Sequence, residues 1–282
     1  MKTISGCEVD RLREKANLLR QRVITTLGAA GSGHVGGSLS AADLLTALYS
    51  GTLRVDPKNP RWEDRDRFIL SKGHAGVALY CALADAGFFS PDLLLTFNTY
   101  GSPLGTHPDM RKIPGVDMSA GALGHGLSVG LGMALAGRLA KKDYRVFVML
   151  GDGELCEGSV WEAAMAAAHY RLDRLVAIVD YNRLSLDGPI EKVMELEPLM
   201  EKWRAFGWGA CEIDGHNMGE IMQALRGLPV AEGRPSVILA HTTKGKGVSF
   251  AENVPAWHSI SVDHTAVDRA LTELRTQGGT RS

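Results

Sequence analysis

Short, almost unbroken apolar runs alternate along this chain with longer stretches in which apolar residues recur at helical spacing. The runs at Arg67–Leu70, Arg145–Leu150, Leu175–Val179, Ala210–Asp214 and Ser236–Ala240 are short and mostly apolar, and each gives way to a polar or glycine-containing turn. A strand buried on both faces has that pattern. Helical spacing marks residues 8–27, with further helices over Ser40–Tyr49, Ala75–Ala86, Ser159–Arg171 and Gly219–Arg226. Ser40 stands where an N-cap is expected. A loop-rich stretch runs to Ser119, and a glycine-rich helix over Ala120–Ala140 follows it. Strands alternating with helices predict an α/β fold, a doubly wound and mostly parallel sheet with helices on both faces. Ligands of such sheets gather where the strands end.

Composition narrows the class. The 282 residues are 45% hydrophobic and 22% charged, with no linker, repeat or charge run to divide them, as in a globular chain with one large core. A net charge of −1 provides no global attraction for a polyanion, which argues against a nucleic-acid binder. Cys7, Cys81, Cys156 and Cys211 are far apart and lack metal spacing, and no apolar leader opens the chain, so a reducing cytoplasm is expected. The Ala120–Ala140 stretch is apolar enough to suggest a membrane span. His125, Arg138 and its many glycines instead predict a helix packed closely inside a protein.

The sharpest chemical signal is Gly151-Asp152-Gly153 at the end of one predicted strand, answered after a 28-residue spacer (154–181) by Asn182 at the end of the next. Gly-Asp-Gly alone is an ordinary turn. With a crossover helix between them, the two strand ends lie side by side, so a carboxylate and an amide oxygen meet in one crevice. Two hard oxygens suit Mg²⁺, which keeps water and shares its shell with phosphate oxygens. The segment Gly31-Ser-Gly-His-Val-Gly36 matches a G-x-G-x-x-G dinucleotide fingerprint in letters only, because a helix rather than a strand precedes it. Lys244, in the Thr-Thr-Lys-Gly-Lys-Gly segment that leaves another strand, brings positive charge and flexible backbone suited to a diphosphate. His34, His74, His107 and His258 all fall in loops on the expected ligand edge. They lack the short paired spacing of a zinc site, so contact with a polar substrate is the better reading.

The GDG-to-Asn arrangement resembles the thiamine diphosphate signature, with Tyr181-Asn182 where the usual ending is Asn-Asn. GSGHVGGSLS, LSKGHA, GALGHGLSVGLGMA, GDGELCEGSVWEA and the TTKGKGVSF to WHS stretch resemble, in order, the N-terminal diphosphate-binding half of transketolase, from about residue 8 to about residue 270. The resemblance implies that Asp152, Asn182 and the main-chain oxygen of Leu184 bind Mg²⁺. It implies His34, His74 and His107 as catalytic groups, and Gly121, Leu123, Gly124, Gly151, Gly153, Lys244 and His258 as contacts of thiamine diphosphate. Glu157 resembles an acidic residue that couples paired sites at the family's subunit interface, and it equally suits a helix N-terminus.

The activity implied is transfer of a two-carbon ketol unit from a ketose or ketose phosphate to an aldose. Residues 1–276 would form the diphosphate-binding domain, and 277–282 a disordered tail. The family's pyrimidine-binding domain and its sugar-phosphate arginines are expected to lie on another chain. The resemblance therefore implies a split transketolase, in which a C-terminal subunit supplies that domain in a heterotetramer. Pentose phosphates are the default substrates, with branched or sulfonated sugars as alternatives, and no nucleic acid or membrane is involved. Deoxyxylulose phosphate synthases and oxo-acid dehydrogenase α-subunits share the GDG signature, but the loop histidines and Glu157 favour transketolase over both. A non-catalytic paralogue would be expected to have lost some of the site.

Overall fold

A computed structural model describes residues 4–279. In chain order the elements are α1 (Gly6–Ala30), β1 (Ser32–Gly33), α2 (Gly36–Ser40), α3 (Ala42–Gly51), β2 (Arg67–Leu70), α4 (Gly76–Ala86), α5 (His125–Leu139), β3 (Val146–Gly151), α6 (Gly158–His169), β4 (Leu175–Tyr181), α7 (Ile190–Val193), α8 (Leu199–Ala205), β5 (Gly209–Asp214), α9 (Met218–Arg226), β6 (Ser236–His241), β7 (Ile260–Ser261) and α10 (His264–Gly279). One five-stranded sheet, ordered β2-β3-β4-β6-β5, is parallel at every pairing. The short β1 and β7 pair antiparallel beside it.

Alternate side chains of a strand leave on opposite faces, so each continuous apolar run feeds two cores. Val146, Val148 and Leu150 of β3 pack with Leu127, Ala163 and Trp203 of α5, α6 and α8. Phe147 and Met149 of the same strand pack with Leu19, Leu45 and Leu79 of α1, α3 and α4. The doubly wound sheet is therefore covered on both faces, and because it is parallel, β2, β3, β4 and β6 all end on one edge. The loops leaving that edge carry Lys72 to His74, Asp152, Asn182 and Lys244.

Three boundaries depart from the sequence reading. The glycine-rich helix begins at His125, not Ala120, because Gly124 takes a left-handed φ of 82° that breaks the helix before it. Its small residues do permit close approach: a Cβ on Gly130 would lie 2.6 Å from Val148. Ser40 is not an N-cap. It ends α2, and its hydroxyl donates to the Asp180 carboxylate at 2.6 Å. The expected tail from Gln277 is also shorter, since α10 runs on to Gly279 and the Gln277 amide donates to the Gly247 carbonyl at 3.0 Å. Thr280–Ser282 lie outside the described residues.

Candidate functional site

The metal ligands expected from the sequence stand in two neighbouring loops joined by a hydrogen bond. Gly151 of β3 lies in register with Asp180 of β4, which places Asp152 beside the chain that leaves β4. The Asp152 carboxylate accepts from the Gly153 N–H at 2.7 Å and from the Arg183 N–H, one residue past Asn182. The Asn182 side-chain oxygen in turn accepts from the Leu184 N–H at 3.1 Å. Burial, reinforced by the charge of Asp180, pushes the Asp152 carboxyl up to about 6. A buried carboxylate disfavoured in this way gains from a cation, and the oxygens around it are the hard donors Mg²⁺ takes. Among the described residues no cluster of three His, Cys, Asp or Glu side chains could hold a metal. An ion here would complete its shell from amide, carbonyl and ligand oxygens. The Leu184 carbonyl accepts from Lys244 Nζ at 2.7 Å, and the Ser185 carbonyl accepts from the same ammonium at 3.0 Å.

A cavity of about 310 Å³ opens over these loops, and His74, Leu123, Gly151, Gly153, Lys244 and His258 also line it. The histidines converge although they come from four separate loops. The His34 ring lies 5.5 Å from His74, 6.3 Å from His107 and 5.5 Å from His258, and His74 lies 5.2 Å from His258. Burial holds the His34, His74 and His258 rings below their usual value, His258 down to about 4. They are neutral at pH 7, each able to donate from one nitrogen and accept at the other. Nδ1 of His34 and Nδ1 of His258 are buried with no partner.

Glycines in the first loop make this convergence sterically possible. A Cβ on Gly36 would come within 2.8 Å of the Lys244 stem, and one on Gly37 within 3.2 Å of the His74 ring. Gly121 lies under His107, where a Cβ would stand 3.6 Å from the ring. Gly124 faces Glu157, where an added Cβ would lie 2.6 Å from the Glu157 Cβ. Glu157 itself is exposed at the start of α6, makes no capping hydrogen bond and is outside the cavity wall. It therefore stands apart from Gly151, Gly153, Lys244 and His258, which line the cavity.

Two buried polar nodes escaped the sequence reading. Glu154 accepts from the Gly124 N–H at 2.8 Å, the Gly151 N–H at 3.1 Å and the Ser71 hydroxyl, tying three loops together. Asp180, fully buried, accepts from Lys72 Nζ and the hydroxyls of Ser40 and Thr242. Lys72 also donates to the Gly37 carbonyl at 2.9 Å. The available signal was an acid at the end of an otherwise apolar strand, since a charge buried at that position requires a partner.

Comparison with known proteins identifies the family. The family described as "Transketolase, thiamine diphosphate binding domain" matches residues 12–278. The 6-deoxy-6-sulfo-D-fructose transketolase subunit SqwG of Clostridium sp. (strain MSTE9) is 46% identical over 267 residues, covering 95% of this chain and 97% of that protein. An apulose-4-phosphate transketolase subunit of Phocaeicola vulgatus is 45% identical over 251 residues, 89% of each chain. Among solved structures, transketolase from Campylobacter jejuni superposes with a TM-score of 0.88 at 31% identity, covering 95% of this chain and 42% of that one. The chain thus spans about two-fifths of the length of that transketolase.

Proposed function

The chain belongs to the transketolase family, to its thiamine diphosphate binding domain, and on that premise we propose that it is one subunit of a two-chain, Mg²⁺-dependent transketolase. The reaction is transfer of a two-carbon ketol unit from a ketose to an aldose. Relatives of matching length are named as subunits. A separate polypeptide therefore supplies the pyrimidine-binding domain, in a heterotetramer of two copies of each chain, with this one forming the diphosphate-binding domain. A cytoplasmic location is supported by four cysteines that are all free thiols.

One observation carries this reading: Asp152, Asn182 and Leu184, on two hydrogen-bonded neighbouring loops, line one side of a cavity that His74 and His258 also line, and the His34 ring lies 5.5 Å from each of those two, with the Nδ1 atoms of His34 and His258 unpartnered. Asp152, Asn182 and the Leu184 carbonyl hold Mg²⁺. Backbone at Gly151 and Gly153, with Lys244, holds the diphosphate, while Gly121, Leu123 and Gly124 lie against the ring system. His258 stands between the diphosphate and the substrate channel. Thiamine diphosphate, when bound, supplies the electron sink that lets the ketose C2–C3 bond break. His34 and His107 donate to, or take a proton from, the sugar oxygen at which charge develops, and His74 holds a donor oxygen. Glu157 couples the paired sites from the subunit surface.

The sugars named for the two similar subunits end in an anion, a sulfonate in one and a phosphate in the other. A sugar of that class fits this chain if its anion is held by the partner, because Lys72 is engaged by Asp180 and the Gly37 carbonyl and Lys244 is taken up by the diphosphate. The test is a ketol-transfer assay with cofactor, Mg²⁺ and a ketose phosphate or sulfonate, with and without the partner. Activity should require both chains. Full transfer by this chain alone would refute the two-chain reading.

A further inference from the structure

We infer that His216, remote from the cavity wall, is a positioning residue that sets the loop carrying Lys244. Three side chains, Arg20 and Asp43 buried and His216 half-buried, form a line from the first helix to that loop. Arg20 of α1 donates from both terminal nitrogens to Asp43 of α3, and His216 Nδ1 lies 2.7 Å from the same carboxylate. Beyond the ring, the Thr243 main-chain N–H donates to His216 Nε2 at 2.8 Å. An amide N–H can only donate, so Nε2 carries no proton and Nδ1 donates its own to Asp43.

The line ends one residue before Lys244, and its geometry holds the loop on two sides. Gly245 N–H donates to the Gly36 carbonyl at 3.0 Å on the far side of Lys244, so His216 and Gly36 bracket the lysine. Gly215 permits this approach, since a Cβ there would lie 2.5 Å from Thr242. The β5 exit loop reaches over in the same way through the Gly215 N–H, which donates to the His241 carbonyl at 2.8 Å. Arg20 and Asp43 are 7% and 4% exposed, so the ring is anchored to buried helices and not to mobile surface. A fixed second partner of this kind is what orients a histidine that acts on something else.

The inference rests on the reading of Lys244 as a diphosphate contact, and two isosteric substitutions separate the halves of the ring. In His216→Asn the amide nitrogen stands near Nδ1 and still reaches Asp43, but nothing accepts from Thr243. In His216→Gln the amide oxygen reaches the Nε2 position and restores that acceptor. Measured by calorimetry on the complex with its partner subunit, the dissociation constant of thiamine diphosphate with Mg²⁺ should rise about tenfold in His216→Asn, the size of one lost net hydrogen bond. It should stay within about threefold of wild type in His216→Gln, although both variants lose the same ring. Equal losses in the two, tracking their falls in Tm, would make His216 merely structural and overturn the proposal. Lys244→Met is the control for the underlying reading. Wild-type affinity in that variant removes the diphosphate role of Lys244, whereas weak binding there together with tight binding in His216→Asn removes the relay alone. Amide hydrogen exchange of the wild-type complex needs no variant: Thr243 should be protected like β6, and free exchange at that amide would also sink the proposal.

Discussion

His34 and His258 each bury an Nδ1 without a partner, and leaving such an atom unsatisfied costs about 1–3 kcal/mol. The cost is understandable if the atoms are reserved for a ligand. Replacing His34, or His107 whose ring stands 6.3 Å from it, by Ala should lower turnover of the assembled enzyme by roughly 10²- to 10⁴-fold, with cofactor affinity almost unchanged in calorimetry. Equal loss of both would make the two residues structural. The same burial has a pH consequence. An unfolded histidine titrates near 6.5, and burial holds His258 down to about 4. Between those values the unfolded chain binds the extra proton, so this contribution is intact above about pH 6.5 and destabilises as pH falls toward 4. Asp152, raised to about 6, works in the opposite sense. The readout is thus the difference in Tm between wild type and His258→Gln, which should change across that window and be flat above it. These histidines were legible in the sequence because each sits in a loop at the ligand edge. Lys72 and Asp180 were not, because their pairing joins residues 108 positions apart that flank apolar runs.

Helix α5 shows how a backbone conformation is built into the site. Gly124 starts it at φ 82°, donates its N–H to Glu154 and has no room for a Cβ against Glu157. Gly124→Ala should lower the unfolding free energy by about 1–3 kcal/mol, from left-handed strain and overpacking together. At Gly132, on the exposed side of the same helix, an added Cβ would meet nothing within 4 Å. Gly132→Ala should therefore be neutral or stabilise by about 0.4–1 kcal/mol, and urea unfolding of the pair checks both signs. The parallel strands could be read from sequence because residues buried on both faces leave an unbroken apolar run. The start of α5 could not, since glycine suits a loop and a closely packed helix equally well. The sequence reading passed over α10 although Val267, Ala270, Leu271 and Leu274 recur at helical spacing and pack against the core that α1 shares. Its many polar residues made that stripe easy to miss.

For the whole molecule, the cavity is small and its rim is apolar. About 310 Å³ is at the lower end for an enclosed ligand site, and the rim exposes Leu123, Leu186 and Val193. Exposed apolar side chains bordering a polar catalytic floor are expected where a second chain closes the site. An obligate contact of that kind buries over roughly 2,000 Å², and on the two-chain proposal the substrate-discriminating groups would lie on the partner and so outside this sequence. Leu186 is 60% exposed, so Leu186→Lys should change the stability of this chain by no more than about 0.5 kcal/mol. The same charge buried against the partner would be desolvated without a counterion. Size-exclusion chromatography of the mixed subunits should then show the variant eluting apart from its partner. Ketol transfer should return only as partner concentration is raised, because the lesion weakens association and leaves the Asp152 turn untouched. Wild-type co-elution and activity in Leu186→Lys would place the partner on another face.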